Sequence, residues 1–141
     1  MNILVDTTIW SLALRRKPED LNNIEQAMVR ELRDLVREAR ILLLGVVRQE
    51  VLSGIRNRDQ FEKIKSFFHP FPDEPPEIED YELAATANNS CRAKGIVVSA
   101  VDALICAIAL RREIPIFTAD SDFKMYARVL PLQLHPHVRT N

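Results

Sequence analysis

Three consecutive aliphatic residues, Ile3, Leu4 and Val5, run directly into Asp6, and a helical pattern carrying Ile9, Trp10, Leu12 and Ala13 follows at once. The aliphatic run is too short for a helix and suits a buried strand. A carboxylate therefore stands where a hydrophobic strand ends, and a lone ionised group there is costly unless a cation or several donors meet it. Thr7 and Thr8 offer an N-cap for the helix. Strand, acidic turn and helix make up the geometry in which open α/β sheets present ligand-binding groups. Helix capping by Asp6 is the competing role, and this stretch alone does not separate the two.

The rest of the chain repeats the alternation. A basic turn, Arg15-Arg16-Lys17-Pro18, closes the first helix, and from Glu19 onward Leu21, Ile24, Met28, Leu32, Leu35 and Val36 recur at helical spacing. The opposite face, with Glu31, Arg33, Asp34, Arg37 and Glu38, reads as solvated. Residues 41–44 form a second strand candidate ended by Gly45, and 46–56 return to helical spacing with Glu50 in the first part. Another helix is expected over 59–68. The proline-rich run 69–76, including His69, cannot be helical and must be a connector. A helix over 77–94 ends at Gly95, and Ser99 opens an apolar helix over 100–112. Residues 114–117 are a third strand, 123–128 a short helix and 129–134 a last edge strand. The tail with His135 and His137 reads as frayed and outside any metal-site context. Alternation of this kind argues for a mostly parallel sheet covered by helices on both faces. The expectation is one three-layer α/β/α domain over residues 1–141.

Composition sets the boundaries. A chain of 141 residues, 47% apolar and 28% charged, can bury one substantial core. Twenty acidic residues against 19 basic ones leave a net charge of −1, so no global basic field advertises nucleic acid. Cys91 and Cys106 lie in apolar helical patterns and provide no disulfide framework. No start resembling a signal peptide and no run approaching the ~18 apolar residues of a membrane span is present. A reduced, cytosolic protein without a membrane anchor is expected.

Most acids lie on charged helical faces or in and beyond the connector. Asp73, Glu74, Glu77, Glu79, Asp80 and Glu82 are read as solvated, without chemistry. Asp6, Glu50, Asp102 and Asp120 stand apart, with Asp122 a fifth candidate. Asp6 and Asp120 each follow a strand, and parallel strands end on one edge of a sheet, so the two converge. Glu50 begins a helix leaving that same edge. Asp102 lies in the first turn of an apolar helix, where Ser99-x-x-Asp102 also resembles a capping box. Several carboxylates on one rim repel one another. A hard divalent cation, Mg²⁺ or Mn²⁺, resolves that conflict and suits phosphodiester hydrolysis.

Four segments carry a resemblance that spans nearly the whole chain. They are Leu4-Val5-Asp6-Thr7-Thr8-Ile9-Trp10, Gln49-Glu50-Val51-Leu52-Ser53-Gly54, Val101-Asp102-Ala103-Leu104-Ile105 and Thr118-Ala119-Asp120-Ser121-Asp122-Phe123. In this order and spacing they resemble the PIN-domain family, in particular the VapC-type toxins of toxin–antitoxin pairs. The resemblance implies an α/β/α fold, an Mg²⁺- or Mn²⁺-dependent ribonuclease acting on RNA, a VapB-like antitoxin that occupies the site, and homodimers. It matches Asp6, Glu50, Asp102 and Asp120 to the family's acidic quartet. Asp6 and Asp102 are then metal ligands, Asp120 binds metal directly or through water, and Glu50 binds metal or orients water. Asp122 fits the last motif's second acid. Thr7 and Thr118 are hydroxyls that would hold a carboxylate or a water.

An RNA-cleaving chain of net charge −1 needs local cations. Arg15, Arg16 and Lys17, or Arg56 and Arg58, could supply them, or could be ordinary solvated turns. Trp10 fits the core better than a base-stacking role. Two other classes compete with the nuclease. A non-catalytic PIN-like module would have no need of clustered carboxylates. A nucleotide-binding α/β protein is disfavoured by the lack of a glycine-rich phosphate loop, the chain having three glycines in all.

Overall fold

The computed structural model describes residues 2–139. Strand β1 (Ile3–Val5) lies between β2 (Ile41–Leu42) and β3 (Ile116–Phe117), and both pairings are parallel. Leu4 is opposite Leu42 on one side and Ile116 on the other. Successive strand residues face opposite sides of a sheet, yet Ile3, Leu4 and Val5 are all fully buried. Both faces of the sheet are therefore covered, as the alternation of elements predicts. The helices are α1 (Thr7–Leu14), α2 (Asn23–Arg37), α3 (Gly45–Ser53), α4 (Arg58–Phe68), α5 (Ile78–Ala93), α6 (Ala100–Arg112) and α7 (Asp122–Tyr126). Helix α1 packs on α2 and α3, α3 packs on α4, and α5 packs closely along α6. Helix α6 is buried over seven consecutive residues, 103–109, which is why its sequence shows almost no polar face.

The chain leaves β1 towards β2 on one side and later returns to β3 on the other. That change of direction makes the C-terminal end of β1 a switch point, where open α/β sheets form crevices. Asp6 stands at its mouth. No described helix is long and apolar enough to cross a membrane.

The structure corrects the sequence reading at several points. Pro18–Asp20 is a turn of 3-10 helix, and α2 starts only at Asn23. Asn22 accepts the Glu25 N–H while the Glu25 carboxylate accepts the Asn22 N–H, so a reciprocal cap fixes that start. The run 129–134 does not form a strand. The N–H groups of Val129 and Leu130 close a turn on Tyr126 O, Pro131 has none to offer, and only Leu134 bridges to Ile116. Gly95, with φ of 78°, occupies the left-handed position after α5 as expected.

Two acids read as solvated are buried. Glu31 is 4% exposed, with His135 Nε2 at 2.7 Å and Arg139 Nε donating at 2.8 Å. His135 also meets the Phe117 ring edge-on, and Arg139 pairs with Glu38, so the tail through Arg139 is strapped to α2 rather than frayed. Asp80 is 1% exposed and accepts from the Glu77 N–H at 2.8 Å and from Arg111 at 2.7 Å. Burial opposes its charge, but those two donors outweigh it and hold the carboxyl below the ordinary aspartate range.

The connector after α4 is held by Arg48 of α3. Its guanidinium donates to Phe68 O at 2.8 Å and Phe71 O at 3.0 Å, and it lies over the Phe68 ring. Arg48→Ala takes the charged donors from both carbonyls, leaving Phe68 O with the Phe71 N–H at 3.0 Å, and should cost about 1–3 kcal/mol. Urea unfolding should show that loss, with faster proteolysis confined to 69–76.

Candidate active site

Asp6 is the N-cap of α1, the competing role the sequence left open for it, and Thr7 and Thr8, also offered as caps, are the first two residues of the helix. Its carboxylate is 4% exposed and accepts three hydrogen bonds, one on Oδ1 and two on Oδ2. Oδ1 accepts the Thr7 N–H at 2.7 Å, and Oδ2 accepts the Thr8 hydroxyl at 2.8 Å and the Thr118 hydroxyl at 2.7 Å. Each hydroxyl has one proton, and both give it to Asp6. The 3.3 Å approach of Thr8 Oγ1 to Thr118 Oγ1 is therefore a contact between two acceptor oxygens. Those lone pairs are in turn used: Thr8 Oγ1 accepts the Ala119 N–H at 2.9 Å and Thr118 Oγ1 accepts the Asp120 N–H at 3.0 Å. The start of α1 and the loop after β3 are laced together through one carboxylate. Capping and site are thus not alternatives for Asp6, since the cap is what fixes its oxygens.

Glu50 projects from α3, exposed, and Thr7 donates to its Oε1 at 2.7 Å. Asp120 Oδ1 accepts the Asp122 N–H at 2.9 Å, which opens α7. Asp102 sits in the first turn of α6. Ser99 Oγ accepts the Asp102 N–H at 3.1 Å, but the Asp102 carboxyl does not complete a capping box: it accepts the Tyr126 hydroxyl at 2.9 Å. Tyr126 escaped the sequence reading. The only signal was a tyrosine one turn after Asp122 in a short helix, facing inward.

The electrostatics register the assembly of all four acids. Burial pushes the Asp102 carboxyl from an ordinary value of 3.8 up to about 6, and Asp6, Asp120 and Glu50 add repulsion that the Tyr126 hydrogen bond only partly offsets. Burial and the negative charges around it push the Tyr126 hydroxyl well above the usual phenol range, so it remains a donor. Cys106, behind Asp102, is pushed up to about 12 by burial and by the acids, and is an inert thiol.

Among the described residues no group of three or more His, Cys, Asp or Glu side chains forms a ready-made metal cage. The donor set nevertheless suits a hard cation. Every available atom is a carboxylate or hydroxyl oxygen, and Mg²⁺ is held through one or two carboxylates plus water and phosphate rather than in all-protein cages. A buried, pre-ordered Asp6 facing mutually repelling acids is the observation that favours such an ion.

The family model of the PIN domain matches residues 3–129. The chain belongs to the PIN-domain family. Its backbone is similar to several solved structures. FitAcB from Neisseria gonorrhoeae matches at 19% identity with a TM-score of 0.70, covering 95% of this chain and 97% of that one. VapBC2 from Rickettsia felis, bound to a DNA fragment from its promoter, matches at 17% identity and a TM-score of 0.74, covering 96% and 98%. VapBC-1 from nontypeable Haemophilus influenzae matches at 15% identity and a TM-score of 0.70, covering 99% and 100%. No curated protein matches the chain.

In this PIN-domain chain the three basic residues after α1 part company. A groove of about 470 Å³ runs from Thr7, Thr8 and Ala119 past Ser11 and Leu12 to Arg15 and Arg16, and Lys17 does not line it. Arg15 donates to Gly54 O at 3.0 Å, and Arg16 leans on Asp20 O at 3.4 Å. Trp10 is fully buried among Phe67, Phe68 and Phe71, which excludes base stacking in this conformation.

Proposed function

We propose that this protein is a divalent-metal-dependent endoribonuclease and the toxin of a toxin–antitoxin pair. One observation carries the catalytic part: Asp6 at the C-terminal end of β1 is tied through Thr118 to the loop that carries Asp120, and it lies beside Thr7, which holds Glu50. These three acids add their repulsion to the burial that raises Asp102. Neighbouring carboxylates around a half-buried one have a use when a cation is their partner. Asp6, Asp102 and Asp120 would hold Mg²⁺ or Mn²⁺. The chemistry such an ion supplies is activation of water and neutralisation of charge on a scissile phosphodiester.

The chain's own residues supply position. Thr7 N–H, Thr8 and Thr118 fix both Asp6 oxygens, and Tyr126 fixes one oxygen of Asp102. Glu50, exposed and oriented by Thr7, is placed to align the attacking water or take its proton. Asp122 stands at the rim and adds negative charge beside Tyr126. RNA as substrate, a VapB-like antitoxin, assembly as a homodimer and action inside the cell follow from the likeness to VapC-type toxins. The VapBC and FitAB structures support the antitoxin.

The test is cleavage of a mixed RNA pool by the purified chain with Mg²⁺, with Mn²⁺ and with EDTA, beside Asp6→Asn. Cutting should need the metal and collapse in Asp6→Asn, with circular dichroism showing the fold retained. Unchanged cutting by that variant sinks the assignment. No cutting by folded wild type in either metal moves the protein to a non-catalytic RNA- or protein-binding role. Co-expression with a small upstream open reading frame should relieve growth arrest if the pairing holds.

A further inference from the structure

The groove along α1 has a built end as well as a built beginning. Thr7, Ser11 and Arg15 lie at four-residue spacing on one side of α1, and Thr8, Leu12 and Arg16 on the next row, so the groove follows the helix axis away from Asp6. Eight residues at 1.5 Å each separate Thr7 from Arg15 by roughly 12 Å. At the far end Arg15 is exposed and is oriented by one hydrogen bond. Its guanidinium lies against Gly54 at the end of α3 and donates to the Gly54 carbonyl.

A Cβ built on Gly54 would stand 2.5 to 2.7 Å from three atoms of that guanidinium. Gly54 has φ of −82°, which any residue adopts, so glycine is needed there for the close approach and not for the backbone. Thr7–Glu50 and Arg15–Gly54 thus tie the two ends of α1 to α3, fixing a carboxylate at one end and a cation at the other. A phosphate backbone entering at the acid site meets the Ser11 hydroxyl and then the Arg15 guanidinium, donor types that position nucleic acid without reading sequence.

Resting on the ribonuclease reading, we propose that this groove is a subsite for single-stranded RNA leading away from the scissile phosphate. Arg15, placed by Gly54, grips a phosphate about three nucleotides along at a stacked spacing of roughly 3.4 Å, or fewer when the strand is extended. Arg15 and Gly54 are positioning residues for the substrate; neither touches the reacting atoms.

Binding of a fluorescent oligouridylate of about a dozen nucleotides tests this. It is measured by anisotropy in EDTA over a range of salt, with every chain carrying Asp102→Asn to silence cutting. Arg15→Gln should weaken binding and reduce the slope of log affinity against log salt by about 0.7, the value for one phosphate contact on a single strand. Gly54→Ala should weaken binding too, by displacing the guanidinium, and should add nothing once Arg15→Gln is present. Arg92→Gln, on α5, should leave the slope unchanged. The subsite is overturned by any of three results. These are an unchanged slope in Arg15→Gln, additive losses from Gly54→Ala and Arg15→Gln, or no binding by the parent chain. The nuclease reading fails separately, on RNA-pool cleavage by wild type. A metal-dependent cut with an unchanged Arg15→Gln slope removes the subsite alone.

Discussion

Asp102→Asn is expected to abolish cleavage and to make the metal-free protein more stable. The activity side follows from the proposed metal site. Losing about 4 kcal/mol of charge stabilisation at the phosphodiester lowers the rate roughly a thousandfold. The stability side follows from the electrostatics of the metal-free chain. Burial, aided by Asp6, Asp120 and Glu50, raises the folded-state value of Asp102 to about 6 from an ordinary 3.8. Between those values the folded protein keeps a proton that the unfolded chain has released. Stability therefore falls as pH rises through that window and is lowest above about pH 6. The full shift would be worth about 3 kcal/mol, and solvent reaching a half-buried carboxyl reduces it to roughly 1–2.

Asparagine removes the charge and can still accept the Tyr126 hydroxyl. In EDTA at neutral pH the variant should melt about 3–6 °C above wild type, the gap closing near pH 4. Mg²⁺ should reverse the order by raising wild type alone. Thermal scans at three pH values, with and without metal, read all of this. A variant less stable than wild type in EDTA would mean that the Asp102 carboxylate is a net structural asset. The gain in stability with loss of function is what a strained, charge-crowded site predicts.

What the sequence revealed follows the range of the forces involved. The strand-then-acid pattern is local: Val5-Asp6 and Phe117-Thr118-x-Asp120 place their carboxylates by strand direction alone, and parallel pairing does the rest. Asp102 stood out because it lies in the first turn of an apolar helix, and Glu50 because it lies on the helix that follows the second strand. Contacts that depend on segments far apart were not legible. The Tyr126 hydroxyl reaches Asp102 from α7, and nothing near either residue announces it. Glu31 and Asp80 sit on helix faces whose charge pattern suits water, yet each is buried because a distant cation covers it, Arg139 with His135 in one case and Arg111 in the other. The edge strand over 129–134 failed for a local reason that was readable, since Pro131 cannot join a ladder and the preceding amides close a turn.

Trp10→Ala is expected to be the most destabilising single change, at about 3–5 kcal/mol. Against a typical total of roughly 5–15 kcal/mol, that is enough to leave the protein partly unfolded near body temperature. Trp10 is fully buried on α1 and meets Phe68 at 5.3 Å, Phe71 at 5.9 Å and Phe67 at 6.3 Å, all edge-on. One ring thereby fastens α1 to α4 and to the connector behind it. Its removal would leave a void between rigid helices that cannot close around it. Its Nε1 is also the one buried side-chain polar atom without a hydrogen-bond partner among the described residues. Trp10→Phe deletes that unsatisfied donor while keeping an aromatic ring, so it should cost less than half as much. Because Trp10 is the only tryptophan in the chain, unfolding has to be followed by circular dichroism in both variants. In wild type the same ring becomes a site-specific fluorescent probe of the α1–α4 contact. Asp6 caps the helix that Trp10 anchors, so residual folded Trp10→Ala should also lose metal affinity. Equal costs for the alanine and phenylalanine variants would show that the pocket demands the indole's shape, and that the orphaned N–H carries no penalty.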